Sequence, residues 1–179
     1  MAKAGEDRYY KRSGDSFYRM EHFDIEDMFG RRKKPNLSLF TIVKGRVQSQ
    51  DSQGKTYEGT IIVGIKNAGR GIAKYIYLAL TVNSPYTITE GLARNGFMGL
   101  RSLWGPKSNF VRYLGDANFV IHPNSTLEIT VITRRFRENI TEIEDLLIEA
   151  EIRAEDMRAV HKEKTIVGDE IISKVKSNH

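Results

Sequence analysis

The chain has no cysteine. That excludes disulfide staples, a thiolate nucleophile, and zinc or iron–sulfur centres held by thiolates. Proline is scarce, at 4 in 179 residues, and there is one tryptophan, Trp104. No apolar run approaches the roughly 20 residues that a membrane-spanning helix needs, so no membrane partner is expected. Residues 1–7 lack the apolar stretch of a signal peptide, which makes the cytoplasm the expected location. The histidines are His22, His122, His161 and His179, and none lies three or four residues from another. No serine sits in a Gly-x-Ser-x-Gly elbow. These gaps leave no catalytic constellation, so the expectation is a protein that is not an enzyme and carries no metal and no cofactor.

What is present is an ordinary globular composition, 40% hydrophobic and 28% charged. The length suits one domain with a small appendage. Charge is distributed unevenly. Residues 1–34 carry 9 basic and 7 acidic side chains, residues 35–136 carry 12 and 5, and residues 137–179 carry 7 and 11. A basic middle segment attracts phosphate backbones when its charges cluster. Here they are mostly spread along alternating segments, and the one dense run is Arg31, Arg32, Lys33 and Lys34, followed by Pro35.

The pattern along the chain changes at Pro35. Residues 8–12 suit a short edge strand, and Gly14 with Asp15 suits a turn. From 20 to 30, Ile25, Met28 and Phe29 fall on one face of a helix, with Gly30 as its stop. Residues 1–30 hold too little apolar surface to fold alone, so Phe17, Phe23, Ile25, Met28 and Phe29 need a partner surface. Residues 31–36 read as a linker. From Leu37 the period is two. Residues 37–47, 57–65, 72–82, 117–122, 126–133, 146–154 and 160–167 alternate as strands. Residues 49–55 read as a loop, 67–71 as the turn of an antiparallel hairpin joining 57–66 to 72–82, and 92–115 as a long loop with one short strand near 111–113. Residues 134–144 read as irregular, and the tail from Lys174 as polar and frayed. Leu39, Val43, Ile61, Val63, Ile65, Ile76, Leu78, Leu80, Ile129, Val131, Ile148 and Ile152 are the expected core. Strands at this spacing without intervening helices argue for a mainly β, antiparallel sandwich, with a small closed barrel as the alternative.

Two stretches carry a resemblance. The first runs from Arg8 to Ser16 and continues through residues 20–29; Tyr9, Tyr10, Arg12, Gly14 and Ser16 stand where a Tyr-Tyr-x-Arg-x-Gly-x-Ser strand and turn places them. It resembles the closing strand and helix of the Schlafen AlbA-like domain, found in bacterial ATP-binding or DNA-binding proteins. The second, from about Leu37 to Val167, resembles the immunoglobulin-like sandwich that follows that domain in some members. The resemblance implies three parts: residues 1–30 as a strand–helix arm left from the AlbA-like domain, 31–36 as linker, and 37–173 as the sandwich. The body of the AlbA-like domain is missing, so the chain reads as the C-terminal portion of such a protein. The function then expected is a non-catalytic interaction domain whose partner is a protein or the missing N-terminal domain. The alternatives are weak, sequence-independent nucleic-acid binding through Arg12, Arg31, Arg32, Lys33 and Lys34, with the sandwich as scaffold, and an inactive fragment of a nucleic-acid-processing enzyme.

Overall fold

The computed structural model describes residues 9–21, 25, 33–52, 54–89, 99–104 and 109–177. The chain divides into two units, Met1–Lys33 and Lys34–His179. In the first, strands β1 (Tyr10–Ser13) and β2 (Ser16–Arg19) form an antiparallel hairpin. Gly14 turns it at φ 62°, the left-handed region that glycine enters without strain. The expected strand and turn are both there, and β2 adds a partner strand that the sequence reading did not mark. Of the helix expected at 20–30, Ile25 is helical and its amide donates to the Glu21 carbonyl at 3.1 Å. Met20 and Glu21 are not helical, the Met20 amide donating instead to the Tyr9 carbonyl at 2.8 Å, and residues 22–24 and 26–30 lie outside the described residues.

In chain order the second unit holds β3 (Leu37–Asp51), β4 (Gly54–Asn67), β5 (Tyr77–Val82), β6 (Thr87–Thr89), β7 (Leu100–Trp104), β8 (Phe110–Gly115), β9 (Thr126–Arg137), β10 (Leu146–Arg153), β11 (Val160–Ile166) and helix α1 (Gly168–Ser177). One sheet has the order β3-β4-β9-β6 and the other β11-β10-β5-β8-β7. Every pairing is antiparallel. The first order reproduces A-B-E-D of an immunoglobulin constant-type sandwich, and β11-β10-β5 reproduces G-F-C. Chain order agrees as well, with the β7–β8 hairpin inserted between D and E and laid against the C strand. The second unit is therefore an antiparallel, immunoglobulin-like sandwich. Among the described residues, no helix is long and apolar enough to cross a membrane.

Side chains from both sheets and from α1 form one core. Nine of the twelve residues expected there are buried; Leu39, Val43 and Val131 are only partly covered. Leu39 and Val43 lie on β3, the edge strand of its sheet, and Val131 points away from the core.

Several connections differ from expectation, each for a physical reason. Residues 57–82 do not form a hairpin, because β4 and β5 belong to opposite sheets. Alternation marks a strand with one face on the core, and it looks the same from either sheet. Asn67 makes the crossover. It is fully buried, and its side-chain oxygen accepts the amides of Asn36 at 3.1 Å and Gly69 at 3.0 Å. Its side-chain NH2 donates to the carbonyls of Gly71 at 2.8 Å and Ile121 at 3.0 Å. Around it, the Ala68 amide donates to the Asn36 carbonyl and the Gly71 amide to that of Lys34, so residues 34–36 are tied to the crossover. The 92–115 segment contributes two strands, β7 and β8, in place of one. The segment 117–122 forms only a single bridge, Ala73 to Ile121. β3 and β4 continue through most of the expected 49–55 loop, and β9 extends to Arg137.

The frayed tail is instead α1. Its Ile171, Ile172 and Val175 are buried at i, i+1 and i+4, an apolar face short enough to pass for a polar terminus. Opposed Gly45 and Gly59 make room for it; a Cβ on Gly45 would stand 2.5 Å from Val175. The Gly168 amide donates to Asp145 Oδ1 at 2.9 Å, which satisfies one free donor of the first turn.

Asn67→Ala is expected to cost about 3 kcal/mol or more, because it strands several buried polar groups at once. Asn67→Asp should be about as damaging at neutral pH, since a carboxylate accepts two bonds but repels the carbonyl oxygens of Gly71 and Ile121. Urea unfolding measures both. A wild-type midpoint for Asn67→Ala would show that the amide pins nothing.

Candidate functional site

Antiparallel register lines residues up in rows across a sheet. On the outer face of the four-stranded sheet, one row is Arg46, Glu58 and Arg135. The next is Lys44, Thr60, Thr133 and Thr87, and the third is Ile42, Ile62, Val131 and Thr89. Together they shape a groove of about 560 Å³ lined by Lys44, Arg46, Glu58, Thr60, Thr133 and Arg135, among others.

Glu58 organises this groove. It is 5% exposed, the most buried acidic residue of the described chain. Arg46 donates to its Oε1 through Nη2 at 2.7 Å and Nε at 3.1 Å. Arg135 donates to its Oε2 through Nε at 3.0 Å. Burial alone would raise the carboxyl pKa, but the bonds and charge of the two guanidinium groups outweigh it and hold the group below its ordinary range. The arginines remain about two-thirds exposed, at 67% and 65%. One carboxylate therefore fixes two cations with their remaining donors toward solvent. Lys44 is exposed and has no ion-pair partner among the described residues.

Behind the same sheet, Arg134 points the opposite way from Arg135 and pairs with Glu144 at 3.1 Å. A hydrogen bond from its own backbone amide, aided by Arg134, holds the Glu144 carboxyl below its usual range. The Tyr86 hydroxyl, pushed up to about 12 chiefly by burial, donates to the Glu144 carbonyl. These contacts tie the start of β6 to the approach of β10.

The residues singled out from the sequence lie elsewhere. Tyr9, Tyr10, Arg12 and Ser16 are exposed on or beside the β1–β2 hairpin, with Gly14 at its turn. Arg12 Nε donates to the Gly14 carbonyl at 2.9 Å. Lys33 and Lys34 are exposed, while Arg31 and Arg32 lie outside the described residues. The groove leaves little trace in the sequence. The available signal was Glu58 itself, one of only five acidic residues in the basic stretch 35–136. Its partners stand 12 and 77 residues away, joined to it only by register.

No protein-family model and no curated protein matches this chain. Solved structures similar to it include an ApaA protein from Bordetella pertussis, 16% identical, with a TM-score of 0.38 over 75% of this chain and 95% of that one. A cohesin module from a Clostridium perfringens family 33 glycoside hydrolase is 13% identical, with a TM-score of 0.43 over 75% and 96%. A Nocardia farcinica protein described as having an immunoglobulin-like fold is 12% identical, with a TM-score of 0.37 over 70% and 96%.

The Glu58 network makes stability depend on pH. Its folded pKa lies below the unfolded value of 4.5, so its contribution is complete above about pH 4.5 and is lost as pH falls through the folded value. Glu58→Gln should flatten that part of the acid-unfolding curve. Glu58→Ala is expected to cost about 1–2 kcal/mol, less than breaking a fully buried pair, because both arginines return to water. Thermal melts between pH 3 and 7 give both quantities, and parallel curves for wild type and Glu58→Gln would contradict the assignment.

Proposed function

We propose that this chain is a non-catalytic interaction domain, with the outer face of its four-stranded sheet as the binding surface for a partner that carries negative charge. The observation behind this reading is Glu58. The groove's carboxylate has both oxygens occupied by arginine and stays ionised through the neutral range, so it neither takes up nor releases a proton there. What the groove offers is fixed, outward hydrogen-bond donors of one charge sign, which serve recognition. Titrating the isotope-labelled protein with poly-L-glutamate at low salt should move the amides of residues 44–46, 58–60 and 131–135, while poly-L-lysine should leave them in place. Shifts confined to other faces, or none, would remove this surface from the reading.

A second reading has its own observation. Tyr9, Tyr10, Phe17 and Tyr18 of the hairpin are 47%, 55%, 70% and 59% exposed, and exposed Lys11, Arg12 and Arg19 lie among them. Aromatic rings between cations stack unpaired bases while the cations meet phosphates. This agrees with the resemblance of residues 8–29 to the end of a Schlafen AlbA-like domain, and we propose the arm as a weak, sequence-independent contact for single-stranded nucleic acid. With Lys11, Arg12 and Arg19 engaged the log–log salt slope should be roughly −2 on single strands, and roughly −5 with Arg31–Lys34 engaged as well. Alanine at positions 31–34 should flatten the slope, and Tyr10→Ala with Tyr18→Ala should weaken binding several-fold. Equal binding by wild type and all variants would end this reading.

A further inference from the structure

We infer that the groove over Thr60 and Thr133 takes a small hydroxylated molecule bearing one phosphate or sulfate ester, of which a sugar phosphate is the type. The inference rests on reading this face as the binding surface, and goes further by naming what occupies it.

Charge gives the first argument. Lys44, Arg46 and Arg135 against Glu58 leave the groove at +2. A phosphate monoester carries about −1.5 to −2 at pH 7, so one phosphate ester matches the balance, while a singly charged sulfate ester meets part of it. Donor geometry gives the second. Arg46 spends Nε and Nη2 on Glu58, and Arg135 spends Nε. Nη1 of Arg46 and both Nη groups of Arg135 have no partner among the described residues, and neither has Lys44. Glu58 holds both guanidinium groups in place before any ligand arrives, so little side-chain freedom is left to lose on binding. Planar forks held in this way suit the several oxygens of one compact oxyanion.

The floor of the groove suits the rest of such a molecule. Thr60 and Thr133 are half-buried and lie in the row beside the arginines, and their hydroxyls bond no other described residue. A hydroxyl both donates and accepts, which suits the hydroxyls of a polyol beside its charged ester. The groove's volume of about 560 Å³ exceeds what a lone anion fills. It falls within the roughly 300–1,000 Å³ of small-molecule sites. The ester would sit on the arginine row, and the body would extend over the threonines toward Val131 and Thr89.

The test uses the full chain, isotope-labelled, at low salt. The probes are glucose 6-phosphate, glucose 6-sulfate, glucose and inorganic phosphate. Both esters are expected to shift the amides of residues 44–46, 58–60, 87–89 and 131–135. Glucose should shift none, and inorganic phosphate should bind about tenfold more weakly than the phosphate ester. The ratio of the two esters tells phosphate from sulfate. Lys44→Gln and Thr133→Val should each weaken ester binding roughly 3–10-fold, the value of one lost hydrogen bond. Both should keep the wild-type spectrum elsewhere, since Lys44 is exposed and unpaired and valine matches threonine in shape. No shift with either ester, shifts insensitive to Lys44→Gln, or equal affinity for ester and inorganic phosphate would each overturn the inference. Binding of poly-L-glutamate without either ester overturns it and leaves the interaction surface standing, whereas failure of all three removes both.

Discussion

The sandwich depends on one buried amide. Wherever a chain leaves one sheet for the other, its backbone crosses the core boundary with peptide groups that no strand pairs. Such groups are costly to bury without partners. Asn67 answers this with all four of its hydrogen bonds made, two as acceptor and two as donor. It gathers the approach to β3, the 68–71 turn and the 121 bridge around one side chain. No carboxylate or hydroxyl of similar size supplies two donors together with two acceptors. With the crossover fixed, β4 and β5 can offer their apolar faces to the same core from opposite sides.

The outer face follows from that arrangement. β4 is central in its sheet, flanked by β3 and β9, so its outward residues are crowded from both sides. Further along the same face, Gly64 lies under the Phe40 ring, where a Cβ would stand 2.5 Å from it. At Glu58 the same crowding buries a charge, and the cross-strand arginines are what make that tolerable. The groove is thus a by-product of packing: a carboxylate as buried as Glu58 is held with a cation on each neighbouring strand, and those cations then define the surface.

The sequence shows strands well and their assembly poorly, and the reason is physical. Ile61, Val63 and Ile65, or Leu78 and Leu80, announce a half-buried strand because burial repeats every second residue. Nothing in that repeat says which sheet a strand joins, so the hairpin reading of 57–82 and the crossover seen here fit it equally. The β7–β8 hairpin was hidden by glycines that suggest loop, and α1 by an apolar face of three residues among lysines and acids. The groove was legible least of all. Arg46, Glu58 and Arg135 each look like ordinary solvent-facing charges, and they become a unit only through a register spanning β3, β4 and β9. Arg12, Lys33 and Lys34, by contrast, were noticeable because their charges are local, which is the kind of clustering a linear reading detects.

The paired glycines under α1 bear on the order of assembly. Gly45 and Gly59 leave a hollow in the inner face of β3 and β4, and Val175 fills it. Strands β3 and β4 leave the ribosome more than a hundred residues before that valine does. During synthesis the early hairpin must therefore wait with an open, apolar saddle on its inner side. That hollow closes only when residues 168–177 have emerged, so a helix far downstream in the chain completes the β3–β4 pair.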